Sequence, residues 1–447
     1  MDNKTDLLIN HLFELKETSL SEEIINQVKR CMLDYLGVTF AGTKLLNKKI
    51  SSILDFTKYQ SQNISAIGFN RKTDIFTAAL VNGINSHVAE LDDGSRYGAI
   101  HLGSPIFSAL LPIAEKENTN ADIFMKAVVL AYETAILLST AIQPSHYSKG
   151  FHPTATCGAI GAAIGVATML GFDKKQFKDT FSAAAVSSFG SLKVIEDTSE
   201  LKPYNTGKAA VNGIMAAIIA SSNFSGPLDV LSGDAGFLSI MAKDYDFSDS
   251  FNYLTPLINR VYFKPYAACR HAHPSIEAAL KIININKVDI KDIKKIVIRT
   301  YKGVIGKHDT KNITSPYAAK MSIPFSVSLA LLKERVGIDD FSVENINNSD
   351  IKALANKVFI EADEELSLLV PNKRVAILEI ELNNDLILTE RVDYPKGEPE
   401  NSMTNEEIEE KFSELLAFSG KSQKETNEII FKVWNIEKEF VNLFELL

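Results

Sequence analysis

The chain has 447 residues, 45% of them apolar and 23% charged, with a formal net charge of −9. That is enough chain and enough apolar surface for two or three domains with a sizeable core, and it excludes a disordered chain. The acidic balance argues against a nucleic-acid partner or an anionic membrane surface, because both select basic faces. The start, MDNKTDLL, has no basic segment followed by an apolar one, so no secretory leader is expected. No apolar run reaches membrane-spanning length; 127–142 is interrupted by Glu133 and Thr134. The expectation is a soluble, cytoplasmic protein without a membrane partner. The three cysteines, Cys31, Cys157 and Cys269, form no CxxC pair, which leaves neither a disulfide framework nor a zinc signature.

In chain order, Ser19 with Glu22 reads as a capping box opening a helix that Gly37 closes. A second helix is expected from about 73 to 91, and a polar turn comes after it. That turn sits in NGINSHVAELDDGSRYGAIHLGSP, residues 82–105, and holds Glu90, Asp92, Asp93, Arg96 and His101 between two apolar segments. Ser104-Pro105 reads as the next helix start, and Pro112 predicts a kink within that helix. Asn120 opens a long apolar helix to about 142.

GFHPTATCGAIGAAIGVATMLGFD predicts a helix from His152 to Gly171. Gly158, Gly161 and Gly165 in its interior predict close approach of other backbones and a central, buried position. His152 at its start meets the positive end of the helix dipole, which disfavours a protonated imidazole. Helices are expected over 174–189 and 208–220, with a polar stretch carrying Lys193, Lys202 and Lys208 around them. Beyond residue 262 the pattern changes. KKIVIRTY reads as a strand, 319–336 as a helix, and 374–394 as a β-hairpin around Asn383-Asn384-Asp385. PKGEPENSM reads as a linker, and the chain is helical again from Thr404. The layout is mainly α with an inserted α+β domain: helical 1–262, α+β 263–395, and helical 396–447 completing the first domain.

Five of the eight histidines, His87, His101, His152, His271 and His273, fall in these polar clusters. Carboxylate, guanidinium and imidazole within one short turn are the parts of an acid/base site, and a solvated, capped loop is the bland alternative. A metal site would draw on Asp92, Asp93, His101 and His152, but no pair has HxxxH or HExxH spacing, so no metal is expected. No glycine-rich phosphate loop is present, so nucleotide chemistry has no support. Metal-free acid/base chemistry on a carboxylate substrate would use His101 and His152 for proton transfer. Lys202, Lys264, Arg270 and Lys320 would be its anion partners. Cys269 is either a nucleophile activated by a histidine or a packed thiol.

The stretches NGINSHVAELDD with His101-Leu102-Gly103, GFHPTATCGAIGAA, LKPYNTGKAA, GPLDVLSGDAGF, FKPYAACRHAHPSIEAAL, AAKMSIPFSV and DYPKGEPENSM occur in this order. Together they resemble the MmgE/PrpD family, whose members include 2-methylcitrate dehydratase, cis-aconitate decarboxylase and iminodisuccinate epimerase. The resemblance implies an all-helical large domain with an inserted α+β lid, a homodimer, and chemistry without a cofactor. It implies Asp92, Asp93, His101, His152, Lys202, Lys264, His273 and Lys320 as site residues. Glu90, Gly94, Cys269 and Phe325 depart from the decarboxylase pattern, which has aspartate, threonine, histidine and tyrosine there.

The resulting expectation is a hydro-lyase acting on a di- or tricarboxylate through a carbanion beside a carboxylate. His101 is the general acid/base oriented by Asp93, and His152 is the second proton-transfer group. Asp92, Arg96, Lys202, Lys264, His273 and Lys320 contact substrate. An epimerase of an acidic substrate, a decarboxylase and a non-catalytic carboxylate-binding protein are the alternatives.

Overall fold

The computed structural model describes residues 3–58, 63–195, 199–247 and 255–447. The chain forms two compact units: Met1–Val261 with Thr404–Leu447, and Tyr262–Met403. The first is built from helices and carries a short antiparallel hairpin, Ile64–Ala66 with Arg71–Thr73, which the sequence pattern does not suggest. The second combines helices with a four-stranded sheet. The fold class is therefore mainly α with a smaller α+β part.

In the first unit, helix starts follow local chemistry. Ser21 caps Glu22–Leu45 by accepting from Ile24 N, and Asn120 caps Ala121–Ala141 by accepting from Ile123 N. Each such cap contributes about 1 kcal/mol. Gly37 does not end its helix, which continues to Leu45. A Cβ at Gly37 would lie 3.1 Å from Phe412 Cδ2 and 3.2 Å from Leu415 Cδ1. The glycine is there so that helix Asn405–Ser419 can pack close, a tertiary reason that local sequence does not display. The same C-terminal helix supplies Lys411, whose ammonium forms a buried ion pair with Asp34 and donates to Leu91 O at 2.8 Å.

Pro153–Met169 is buried along its whole length and packs against Ala121–Ala141 and Lys202–Ser221. A Cβ on Gly161 would come within 2.5 Å of Ala131 O, so here the glycine is required by backbone contact. Helix Ala121–Ala141 is long and apolar enough to cross a membrane, which corrects the expectation that no run reaches that length; 83% of its apolar window is buried in the protein. Its one awkward residue, Glu133, is satisfied: Oε1 lies 3.0 Å from His11 Nε2, and Oε2 accepts from Leu257 N at 2.7 Å. Lys202–Ser221 begins six residues before the expected start at 208, with Pro203 in its first turn. Residues 196–198 of the polar stretch before it lie outside the described residues.

In the second unit the sheet order is Val358–Ala362, Ile293–Thr300, Ala376–Leu382, Ile387–Val392. The first pair is parallel and the other two are antiparallel. Ile296, Ile298 and Thr300 are buried while Val297 and Arg299 are only partly so, the alternation of a one-sided strand. Helix His273–Asn286 packs on the last two strands. The helix expected over 319–336 is two, Pro316–Met321 and Ile323–Lys333, because Ser322 leaves helical geometry and caps the second by accepting from Phe325 N.

The stretch 395–403 is no linker. Phe263 N donates to Gly397 O at 3.0 Å, and Gly397 has φ +92°, where a Cβ would strike Phe263 O. Glu398 is buried and accepts from Arg270 Nε and Nη2 at 3.1 and 2.9 Å. The unit therefore runs to Met403, beyond the boundary at 395 read from composition.

Candidate functional site

The polar turn leaves helix Ile75–Val88 just after His87 and enters helix Gly103–Glu117. Asp74 starts the first helix, its Oδ1 accepting from Phe76 N and Thr77 N. The second helix starts differently from expectation. Ser104 does not cap it; its hydroxyl donates to Asp92 Oδ2 at 2.9 Å. Asp93 takes that role instead, Oδ1 accepting from Leu102 N at 3.3 Å and Gly103 N at 2.8 Å. Tyr132 OH donates to the other oxygen at 2.7 Å.

Two histidines converge on Asp92. His87 Nδ1 donates to Asp92 Oδ2 at 2.6 Å, with both side chains buried. His101 Nδ1 lies 2.8 Å from Asp93 O and 3.4 Å from Asp92 Oδ2. A carbonyl oxygen can only accept, so Nδ1 of His101 carries the proton and Nε2 of the neutral ring carries the lone pair. The His101 side chain is 14% exposed, and its backbone N–H donates to Thr154 Oγ1 at 3.1 Å. The two rings lie 4.8 Å apart, edge to face.

Here the expected roles change. The carboxylate beside His101 belongs to Asp92, while Asp93 contributes its backbone oxygen and turns its carboxylate onto the helix start. Burial raises the Asp93 carboxyl to about 7, and nearby Asp34 adds to the rise; the Gly103 N–H and Tyr132 hydroxyl oppose it. Asp92 is also buried, its Oδ2 held by His87 and Ser104.

His152 stands at the N-cap of Pro153–Met169 without capping it, and its backbone N–H donates to Gly190 O at 2.8 Å. Its ring lies 6.1 Å from that of His87, and Nδ1 is 3.4 Å from Asn205 Nδ2. Burial drives its pKa well below the ordinary value, helped by His87, Lys202 and His101, while Glu90 opposes. A depressed pKa keeps this imidazole neutral at the helix N-terminus, where it can hydrogen-bond.

Lys202, at the start of Lys202–Ser221, forms a buried ion pair with Glu90. Glu90 takes φ +57°, the left-handed region that a β-carbon disfavours. Arg96 is buried, with Nη2 donating to Tyr97 OH at 2.8 Å, and Arg260 stacks on the same ring at 3.9 Å. The first unit thus gathers His101, Asp92, Asp93, His152 and Lys202 around one turn. It adds His87, Tyr132, Thr154 and Asn205, which the expected site leaves out. His87 is the findable one: it lies five residues before Asp92, on the last turn of a helix that delivers into the turn.

The remaining expected site residues lie in the second unit. Lys264 and Lys320 are buried. His273 is engaged within that unit, with Arg270 Nη1 donating to Nδ1 at 2.9 Å and Nε2 donating to Ala268 O at 3.1 Å. Both ring nitrogens are thus bound to protein groups, and His273 holds the Arg270 guanidinium.

His87, Asp92 and His101 each offer a metal-ligating atom within 4.8 Å of the others. The 2.6 Å contact between His87 and Asp92 is a hydrogen bond between a buried imidazole and a buried carboxylate.

The chain matches the MmgE/PrpD N-terminal domain over residues 8–250 and the MmgE/PrpD C-terminal domain over residues 266–436. Cis-aconitate decarboxylase of Homo sapiens is 26% identical over 427 residues, covering 91% of this chain and 86% of that protein. Its Mus musculus counterpart is 24% identical over 433 residues, with the same coverage. The cis-aconitate decarboxylase-like protein oryM of Aspergillus oryzae is 23% identical over 447 residues, covering 93% and 91%.

Proposed function

Because this chain belongs to the MmgE/PrpD family, we propose that it is a cofactor-independent lyase that removes water from a small di- or tricarboxylate. The observation that carries this reading is His101. Its tautomer is set by a backbone carbonyl, a buried carboxylate lies beside it, and part of its ring is exposed. Those are the properties of a general base that must meet a carbon acid.

In the proposed reaction His101 Nε2 takes the proton from the carbon next to a substrate carboxylate. The C–H electron pair becomes the new C=C bond as the C–O bond of the β-hydroxyl breaks, and the imidazolium returns its proton to the departing oxygen as water. Neutral His152 donates a hydrogen bond to the carboxylate as charge develops on it. Lys202, shared with Glu90, attracts the substrate's carboxylates. His87 and Asp92 hold the base in place. The exposed Met215, Ile218 and Ile219 on helix Lys202–Ser221 support a homodimer; a cytoplasmic location belongs to the same proposal.

Decarboxylation is the second reading, favoured by the names of the similar proteins. It passes through a carbanion of the same kind, formed as the C–C bond to the departing CO₂ breaks and quenched by a proton from Nε2 of His101 in its imidazolium form. Incubation with hydroxylated, unsaturated and aminated di- and tricarboxylates in deuterated water, followed by NMR, separates the outcomes. Loss of hydroxyl with a new alkene signal supports dehydration. Loss of a carboxyl carbon with deuterium gained supports decarboxylation. Solvent deuterium at an intact, inverted centre indicates epimerisation and overturns both, and binding without exchange overturns catalysis altogether.

A further inference from the structure

The second unit holds a set of residues, Cys269, His271 and His308, that place one ligating atom each within 4.8 Å of one another. We propose that these three residues form a binding site for a zinc ion. The site does not depend on the lyase reading.

The donor set is the first argument. A thiolate with two imidazoles is soft to borderline, which suits zinc and disfavours calcium or magnesium, whose sites are built from oxygen. Three protein ligands leave one position of a tetrahedron for water or a ligand.

The orientation of the rings is the second argument. His308 Nδ1 donates to Met321 O at 3.0 Å, and His271 Nδ1 is hydrogen-bonded to the Tyr301 hydroxyl. In each ring the δ nitrogen is anchored by a neighbouring oxygen, and the metal would take Nε2. Metal-bound histidines are oriented in this manner by a hydrogen bond from the nitrogen that does not ligate. The rings are stacked, with centroids 4.8 Å apart and planes inclined by 24°.

The frame is the third. Cys269 precedes the short turn Arg270–Ala272, and its backbone N–H donates to Lys320 O at 2.9 Å. His308 O accepts from Ile323 N at 2.8 Å, and Ser322 Oγ donates to Thr310 O at 2.6 Å. Both ligand-bearing segments are thus stitched to the end of helix Pro316–Met321, and the geometry is held before any ion arrives. Binding then costs little ordering of the chain. Cys269 is partly exposed, whereas Cys31 and Cys157 are buried and burial raises both thiols, Cys157 to about 12. Of the three thiols, Cys269 is the one that is partly exposed and has two imidazoles beside it.

The test uses the full chain stripped with a chelator and titrated with cobalt(II), a spectroscopic stand-in for zinc, and then with zinc. A thiolate-to-cobalt charge-transfer band saturating at one equivalent, and displaced by zinc, is the expected result. Cys269→Ser should abolish that band, and His308→Ala, which removes a ligand, should weaken binding by more than the roughly 10- to 100-fold lost when an outer-shell partner is removed. Thermal unfolding of each variant without metal establishes that it is folded. Cobalt bound at His87, Asp92 and His101 would give ligand-field bands without a thiolate transition. Absence of the charge-transfer band in the folded parent protein overturns the proposal, as does zinc affinity unchanged in the folded Cys269→Ser variant.

Discussion

In the first unit His87 and His101 meet at a carboxylate; in the second His271 and His308 meet beside a thiol and a phenol. A buried carboxylate fixes which imidazole nitrogen holds the proton and tolerates the ring when it charges, so the first group suits proton transfer. A thiol and two anchored rings gain most from a shared cation, so the second suits a metal. The same residue type therefore acquires different chemistry from the group placed beside it.

The largest expected effect breaks the first group at its exposed member. His101→Ala should lower turnover by about 100- to 10,000-fold, the usual contribution of a positioned acid/base. Because the ring is at the edge of the network, the melting temperature should move little. Steady-state rates with a thermal scan check this, and a variant with parent-like turnover removes His101 from the chemistry.

The next effects concern what holds the turn. Lys411→Met leaves Asp34 buried without its ammonium and Leu91 O without its donor. A loss of about 3–5 kcal/mol is expected, the range for breaking a buried pair from one side. Urea unfolding measures it; a change within experimental scatter would show the pair to be dispensable.

Asp93 sharpens the contrast through pH. Its folded value of about 7 exceeds the roughly 4 of an unfolded aspartate. The stability linked to its proton is therefore fully present below about pH 4 and lost as pH rises through 7. His152 has the opposite sign. Its folded pKa is depressed, so its contribution is present above about pH 6.5 and lost as the solution becomes more acidic. Asp93→Asn keeps an acceptor for Gly103 N and should gain on the parent protein, by on the order of a few kcal/mol, between pH 4 and pH 8. Melting temperatures over that range test this, and a pH-independent offset refutes it.

The smallest effect is Gly37→Ala. The added methyl meets Phe412 and Leu415 at 3.1–3.2 Å, and those side chains must give way. Destabilisation of about 1–3 kcal/mol is expected by denaturant titration, against the slight gain that helix propensity alone would bring.

Local chemistry made much of this legible. Apolar spacing, caps and interior glycines mark most helices of the first unit, and alternation marks Ile293–Thr300 and the hairpin. The ordered motifs around His101, His152 and Lys202 mark the family. These features are short-range: a cap, a period or a motif is written within a few residues. Gly37 could not be read that way, because the reason for it lies in Phe412. Nor could the Pro395–Met403 stretch, whose glycine and proline resemble a linker until Arg270 and Phe263 bind it.

The amino-acid order by itself determined the helical and α+β character, the family, and that a turn rich in carboxylates and imidazole lies near His101. Tertiary structure decided the division of labour within that turn: Asp92 beside the imidazoles, Asp93 as helix cap, His152 neutral, and Lys202 paired with Glu90. It also brought His308 to Cys269 and His271 across some forty residues. The physical reason is that a side chain's proton, charge and direction depend on partners distant in the chain, and only folding brings those within hydrogen-bond range.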